Sequence, residues 1–181
     1  MAMTLSQRRT QIAQARNGTP EFEALFQQHW NRLCGLLYAL SGDWAEAEDL
    51  VLEAFVLLYR RPPAQEDNLG GWLYRVATRL GLNALRARQR RQHYEERAGK
   101  LSLDEDQPWD PAAVVEKAQE QAEVRAVLGA MRPRSAQVLL LRHSGMAYAE
   151  IGAILGVAPG SVGTLLARAE KEFEKLYSRR D

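Results

Sequence analysis

Segment after segment of this chain repeats apolar residues at steps of three and four, and none alternates apolar with polar in the two-residue rhythm of a half-buried strand. That periodicity restricts the fold to helices packed on helices. In EFEALFQQHWNRLCGLLYAL, Phe22, Leu25, Phe26, Leu33, Leu36, Leu37 and Leu40 share helical spacing, and Thr19-Pro20 before two glutamates suits a helix start. DWAEAEDLVLEAFVLLYRR opens on acids and closes on arginines, the order that complements a helix macrodipole, and Pro62-Pro63 stops it. GWLYRVATRLGLNALRARQRR supplies a third helix. Three amphipathic helices on short loops predict one helical unit over residues 20–95.

From Gly99 the run GKLSLDEDQPWDP is acidic, proline-bearing and without helical period. It reads as a linker, residues 96–112, with a reach of about 20 Å as a flexible chain. Helical spacing then resumes over residues 113–178. The expected fold is all-α: two small helical domains joined by an acidic linker.

A net charge of +1 conceals a strong segregation. Residues 68–100 carry eight basic groups against two acidic, and residues 101–124 carry one against seven. Residues 125–181 return to nine basic against five acidic. Two basic blocks held apart by an acidic one point to nucleic acid more than the overall balance does. Cys34 is the single cysteine, so no intrachain disulfide forms and a reducing, cytosolic setting fits. His29, His93 and His143 lack ligand spacing, so neither a metal nor another cofactor is expected. Residues 1–20 lack the apolar stretch of a signal peptide, and no run is long enough to span a membrane.

MAYAEIGAILGVAPGSVGTLLARAEKEFEKL has the outline of a helix-turn-helix. Gly156 supplies the tight turn, Val157 fills the angle, and Pro159 sits where its missing N–H costs nothing. Val162, Leu165, Leu166, Ala169 and Phe173 share the inward face. The outward face carries Gly160, Gly163, Thr164, Ala167, Arg168 and Lys171, small enough to enter a major groove and cationic enough to hold its phosphates.

The helix of residues 71–91 has a second face beside its apolar one. Trp72, Arg75, Arg79, Asn83, Arg86 and Arg90 follow each other at steps of three or four. A solvated basic face and a nucleic-acid face both explain this pattern. In the second, arginines would meet phosphates, the amide a base edge, and the indole an unstacked base.

AEDLVLEAFVLLYR, GWLYRVATRLGLNALR and YAEIGAILGVAPGSVGTLLARA, in that order, make the chain resemble the extracytoplasmic-function sigma factors of the sigma-70 family. The resemblance covers about residues 20–177. It implies a region 2-like domain, a linker and a region 4-like helix-turn-helix domain. It also implies that the chain binds core RNA polymerase and promoter DNA, without catalysing a reaction itself. Asp49, Leu50, Leu52, Glu53, Phe55 and Leu58 occupy the family's polymerase-docking segment. Asn68, Trp72, Arg75, Arg79, Asn83, Arg86 and Arg90 occupy the part that reads and melts the −10 element, with a flipped base taken up by the loop AQEDNLGG. Arg142, Tyr148, Gly160, Ser161, Thr164, Arg168 and Lys171 would meet the −35 element. An anti-sigma factor is the family's usual regulator. The chain is expected in the cytoplasm without membrane insertion, although an anti-sigma factor would be able to hold it at the membrane.

The pattern departs from the family in places. Leu52 stands where glutamine is common, Asn83 where aspartate is frequent, and Gly163 and Leu165 where lysine and arginine are common. Glu170 replaces a usual cation. A helix-turn-helix regulator without polymerase binding, or a sigma-like accessory factor, remains an alternative.

Overall fold

A computed structural model describes residues 20–63, 68–97 and 111–179. These residues form seven α-helices and no strand: α1 (Pro20–Ser41), α2 (Trp44–Arg60), α3 (Leu69–Arg97), α4 (Pro111–Ala130), α5 (Pro133–His143), α6 (Tyr148–Leu155) and α7 (Pro159–Tyr177). Outside the described residues lie the expected helix-start threonine, Thr19, and residues 64–67 of the expected base-capturing loop. The same is true of residues 98–110 of the expected linker. Helix α3 runs through Arg97 and α4 begins at Pro111, so helix reaches into both ends of that stretch.

Helices α1–α3 close around one apolar centre because each offers a continuous stripe. Leu33, Leu37 and Leu40 of α1, Val51 and Ala54 of α2, and Leu73 and Ala77 of α3 are enclosed. At one end, the Phe26 ring stacks on Trp30 at 4.6 Å and lies 4.9 Å from Phe55, while Phe22 meets Phe55 edge-on at 5.8 Å. Cys34 is fully buried here, and burial followed by the charge of Glu48 pushes its thiol pKa up.

Side chains set the boundaries of these helices. Asp43 caps α2, its carboxylate accepting from the Ala45 N–H at 2.8 Å and the Glu46 N–H at 3.3 Å. Asn68 caps α3 in the same way, accepting from the Gly71 N–H at 2.7 Å. Removal of either cap is expected to cost about 1 kcal/mol.

In the second unit Val138, Leu141, Ile151, Ile154, Val162, Leu166 and Ala169 are buried, and Leu165 and Phe173 are half-buried. The inward face expected of the last helix is the one observed. Gly156 takes a left-handed conformation (φ +67°) to end α6, and the chain turns through 88° into α7. Gly152 is fixed by space: a Cβ there would stand 2.8 Å from the Val157 carbonyl oxygen.

One acid ties α7 to the start of α5, whose capping position is an arginine with no side-chain cap of its own. Glu172 accepts from the backbone N–H of Arg132 at 2.8 Å, from Arg132 Nε at 2.8 Å and from Ser135 Oγ at 2.8 Å. The bond from Arg132 and its neighbours hold the Glu172 carboxyl at a pKa of about 2. The carboxylate also faces the positive end of the α5 dipole.

The two units touch. Helix α3 packs on α4, α5 and α6 as well as on α1 and α2. Among the described residues no single helix is long and apolar enough to cross a membrane.

Candidate nucleic-acid and polymerase interfaces

The 88° turn presents one side of α7 outward. Gly160, Ser161, Thr164, Arg168 and Lys171 are all exposed along it. Tyr148, 45% exposed, lies across the base of this face, and the Arg142 guanidinium sits over its ring at 5.6 Å. Arg142 also donates to the Met146 carbonyl at 3.2 Å, which fixes it at the rim. All seven residues expected at the −35 element therefore belong to one surface. Sequence reasoning stopped one turn early. Lys175 and Arg179 continue the basic line and, with Arg132, Arg168 and Lys171, edge one shallow recess. Their spacing of four residues after Lys171 was the available signal.

The stripe on α3 is less uniform. Asn68 acts as a helix cap, and Trp72 is half-buried against the core of the first unit. Arg79, Asn83 and Arg90 are exposed. Arg75 is exposed as well and Arg86 is half-buried, and both bond the second unit. Arg75 Nε donates to the Ile154 carbonyl at 2.8 Å, and Arg86 donates to the carbonyls of Gly129 and Met131 at 3.0 Å each. The structure thus ties two guanidiniums of the expected −10 stripe to the second unit and leaves Arg79, Asn83 and Arg90 without that tie.

On α2 the expected docking residues also separate. Phe55 and Leu58 are 3% and 5% exposed and belong to the core, so they offer no surface to a partner. Their inclusion is corrected by packing: Phe55 lies among Phe22, Phe26 and Trp30. Leu50 is half-buried, and Asp49 and Glu53 are exposed. The apolar surface is Leu52, Val56 and Tyr59, each 43–45% exposed. These three residues recur at helical spacing beside the two acids. Val56 and Tyr59 were missed because LVLEAFVLLY is apolar on nearly every side.

Among the described residues no group of three or more His, Cys, Asp or Glu is placed to hold a metal. The surfaces offer cations, amides, hydroxyls and apolar patches, which suit binding.

The description "Sigma-70 region 2" fits residues 25–91, and "Sigma-70, region 4" fits residues 121–173. Together they take in most of the chain, in the family's order. The chain belongs to the extracytoplasmic-function branch of the sigma-70 family. It is 32% identical over 166 residues to the ECF RNA polymerase sigma factor SigE of Mycolicibacterium smegmatis, covering 88% of this chain and 63% of that protein. It is 35% identical over 158 residues to the ECF RNA polymerase sigma factor SigJ of Mycobacterium tuberculosis, covering 83% and 48% respectively. With the RNA polymerase sigma factor CarQ of Myxococcus xanthus it shares 27% over 161 residues, 86% of each chain. This sigma-family chain therefore spans less than two thirds of the SigE and SigJ proteins. Its fold is similar to that of CnrH, solved in complex with the cytosolic domain of CnrY, at a TM-score of 0.56. That match has 20% identity and covers 96% of this chain and 98% of the other.

Proposed function

We propose that this chain is a sigma factor that binds core RNA polymerase and directs it to promoters, with the region 2-like unit engaging the −10 element and the region 4-like unit the −35 element. The observation that carries the reading is the exposed α7 face, small residues first and cations after, set at 88° to α6. An α-helix so presented enters a major groove with its N-terminal residues at the bases and its later cations at the phosphates. Asp49 and Glu53 beside Leu52, Val56 and Tyr59 supply the polymerase contact. Their charge favours encounter with a basic partner and their apolar area sustains the complex. This exposed patch favours the sigma reading over a helix-turn-helix regulator, which has no use for it. Trp72, Arg79, Asn83 and Arg90 form the open part of the −10 face. An anti-sigma factor is the regulatory partner, and the cytoplasm is the setting.

In vitro transcription with core polymerase on a pool of randomised promoters tests the reading. Transcripts enriched for two spaced boxes are expected from the parent chain. None are expected from the doubly reversed Asp49→Lys/Glu53→Lys variant, whose exposed substitutions leave stability within about 0.5 kcal/mol each. Enrichment that survives the double reversal removes α2 from the interface, and transcription without box enrichment refutes promoter recognition.

A further inference from the structure

The tip of α7 lacks the side chains that read guanine, adenine or cytosine. Its opening stretch PGSVGTLLA (residues 159–167) includes no arginine, lysine, asparagine, glutamine, aspartate or glutamate. Those are the types whose donors and acceptors match the major-groove edges of these three bases. The first of them is Arg168, about 12 Å along the axis from Gly160, which exceeds the groove depth of roughly 8.5 Å. Glu150 of the neighbouring α6 is committed to its own helix, its carboxylate accepting from the Ala147 N–H at 2.8 Å. Beyond the opening proline, Ser161, Thr164 and Ala167 are the exposed side chains, and Tyr148 lies beside them. Its ring is fixed in place. The Arg142 guanidinium, held by the Met146 carbonyl, sits over it, and its edge rests on α7, 3.7 Å from where a Cβ at Gly163 would stand. The chain's own packing demands neither glycine at this tip. A Cβ at Gly160 would meet nothing within 4 Å, one at Gly163 only that ordinary ring contact, and neither residue is left-handed. Gly152, by contrast, is held by an approach of 2.8 Å. Glycine weakens a helix, so these two leave room for something outside the molecule.

We propose that the −35 duplex is selected through thymine methyl groups, with Thr164, Ala167 and Tyr148 as the specificity-determining residues, and not through guanine, adenine or cytosine edges. The inference rests on the −35 reading of α7. The C5-methyl of thymine is the apolar group that a base pair shows in the major groove, and an alanine, a threonine methyl or an aromatic ring receives it. The glycines let the backbone come close, so that side chains this short reach a base edge. The hydroxyls of Ser161 and Thr164 both donate and accept, so they add affinity with little choice of base. Arg168 and Lys171, farther along, stay with the phosphates, which hold the protein in register without specifying a base.

The test uses the full chain bound to core polymerase, on the promoters that the randomised pool yields. Their −35 boxes are resynthesised with uracil for thymine, which deletes only the methyl, and separately with 7-deazaguanine for guanine, which deletes the N7 acceptor. Competition binding at fixed salt reads relative affinity. A loss of about fourfold is expected at each contacted thymine, the effect of burying one carbon, and no loss is expected from 7-deazaguanine. Thr164→Ser keeps the hydroxyl and removes the methyl, so one uracil position is expected to lose its penalty in that variant. Tyr148→Ala is expected to remove the penalty at another. A −35 box without thymine overturns the proposal. So do uracil promoters that bind like their parents, or a larger loss from 7-deazaguanine than from uracil. A uracil penalty unchanged in both variants overturns the assignment to these residues. Lys171→Ala separates the two readings. If it weakens promoter binding while uracil has no effect, the −35 reading stands and thymine selection falls. If it is silent and promoters with a scrambled −35 box bind like their parents, the −35 reading itself falls.

Discussion

Two cationic helices, α3 and α7, begin from similar sequence material and end in different situations. Each pairs an apolar stripe with cations at helical spacing, arginines alone on α3 and arginine with lysines on α7, and each stripe is buried as the spacing requires. On α7 the cations Arg168, Lys171 and Lys175 face outward, because its opposite side is the one packed against α4, α5 and α6. On α3 the charged side is shared, since a helix of 29 residues packed by α1 and α2 along one flank still has a second flank for the other unit. Spacing decides which residues of a helix stay off its core. The neighbours decide whether those residues reach solvent.

The largest expected effect breaks the α7 half of the comparison. Gly152→Val places a branched side chain against the Val157 carbonyl, whose position is set by the turn. A loss of about 2–3 kcal/mol is expected, read as a lowered Tm, together with loss of duplex promoter binding. Unchanged melting and binding would show that the turn tolerates what its geometry forbids.

A smaller effect compares the helices directly. Lys171→Ala removes an exposed cation from α7 and is expected to flatten the salt dependence of duplex binding by about one unit of slope. Arg86→Ala on α3 is expected to flatten it by less, because that guanidinium is already bonded to Gly129 and Met131. Equal slopes from the two variants would mean that α3 is as open in solution as α7.

The smallest effect concerns the anchor of α7. The Glu172 carboxyl titrates at about 2, below its usual value of 4.5, so the ionised form is the stabilising one. Its contribution is complete above about pH 4.5 and disappears as pH falls towards 2. With Arg132 largely exposed, Glu172→Gln is expected to lose about 1 kcal/mol at pH 7 and much less at pH 2, where the carboxyl is half protonated. Denaturation curves at the two pH values measure the difference, and an equal loss at both assigns the effect to shape.

Helix content, the helix-turn-helix and the inward face of α7 were legible because apolar period, turn glycine and proline are written in residue identity. The docking face of α2 was legible only in part. Where nearly every position is apolar, spacing cannot say whether Phe55 or Val56 turns inward, and the ring cluster of Phe22, Phe26 and Trp30 decides it. The partners of Arg75 and Arg86 were not legible at all. They are backbone carbonyls from segments far along the chain, and a carbonyl looks the same in every residue.

Cys34 carries a consequence of its own. Thiol oxidation and alkylation proceed through an accessible thiolate, and here the sulfur is enclosed while its pKa is raised. Among the described residues no thiol is therefore exposed to an oxidant while the fold is intact. For the bench the same enclosure makes the parent a quiet background, on which cysteines introduced at exposed positions would be the ones that take a thiol-reactive dye.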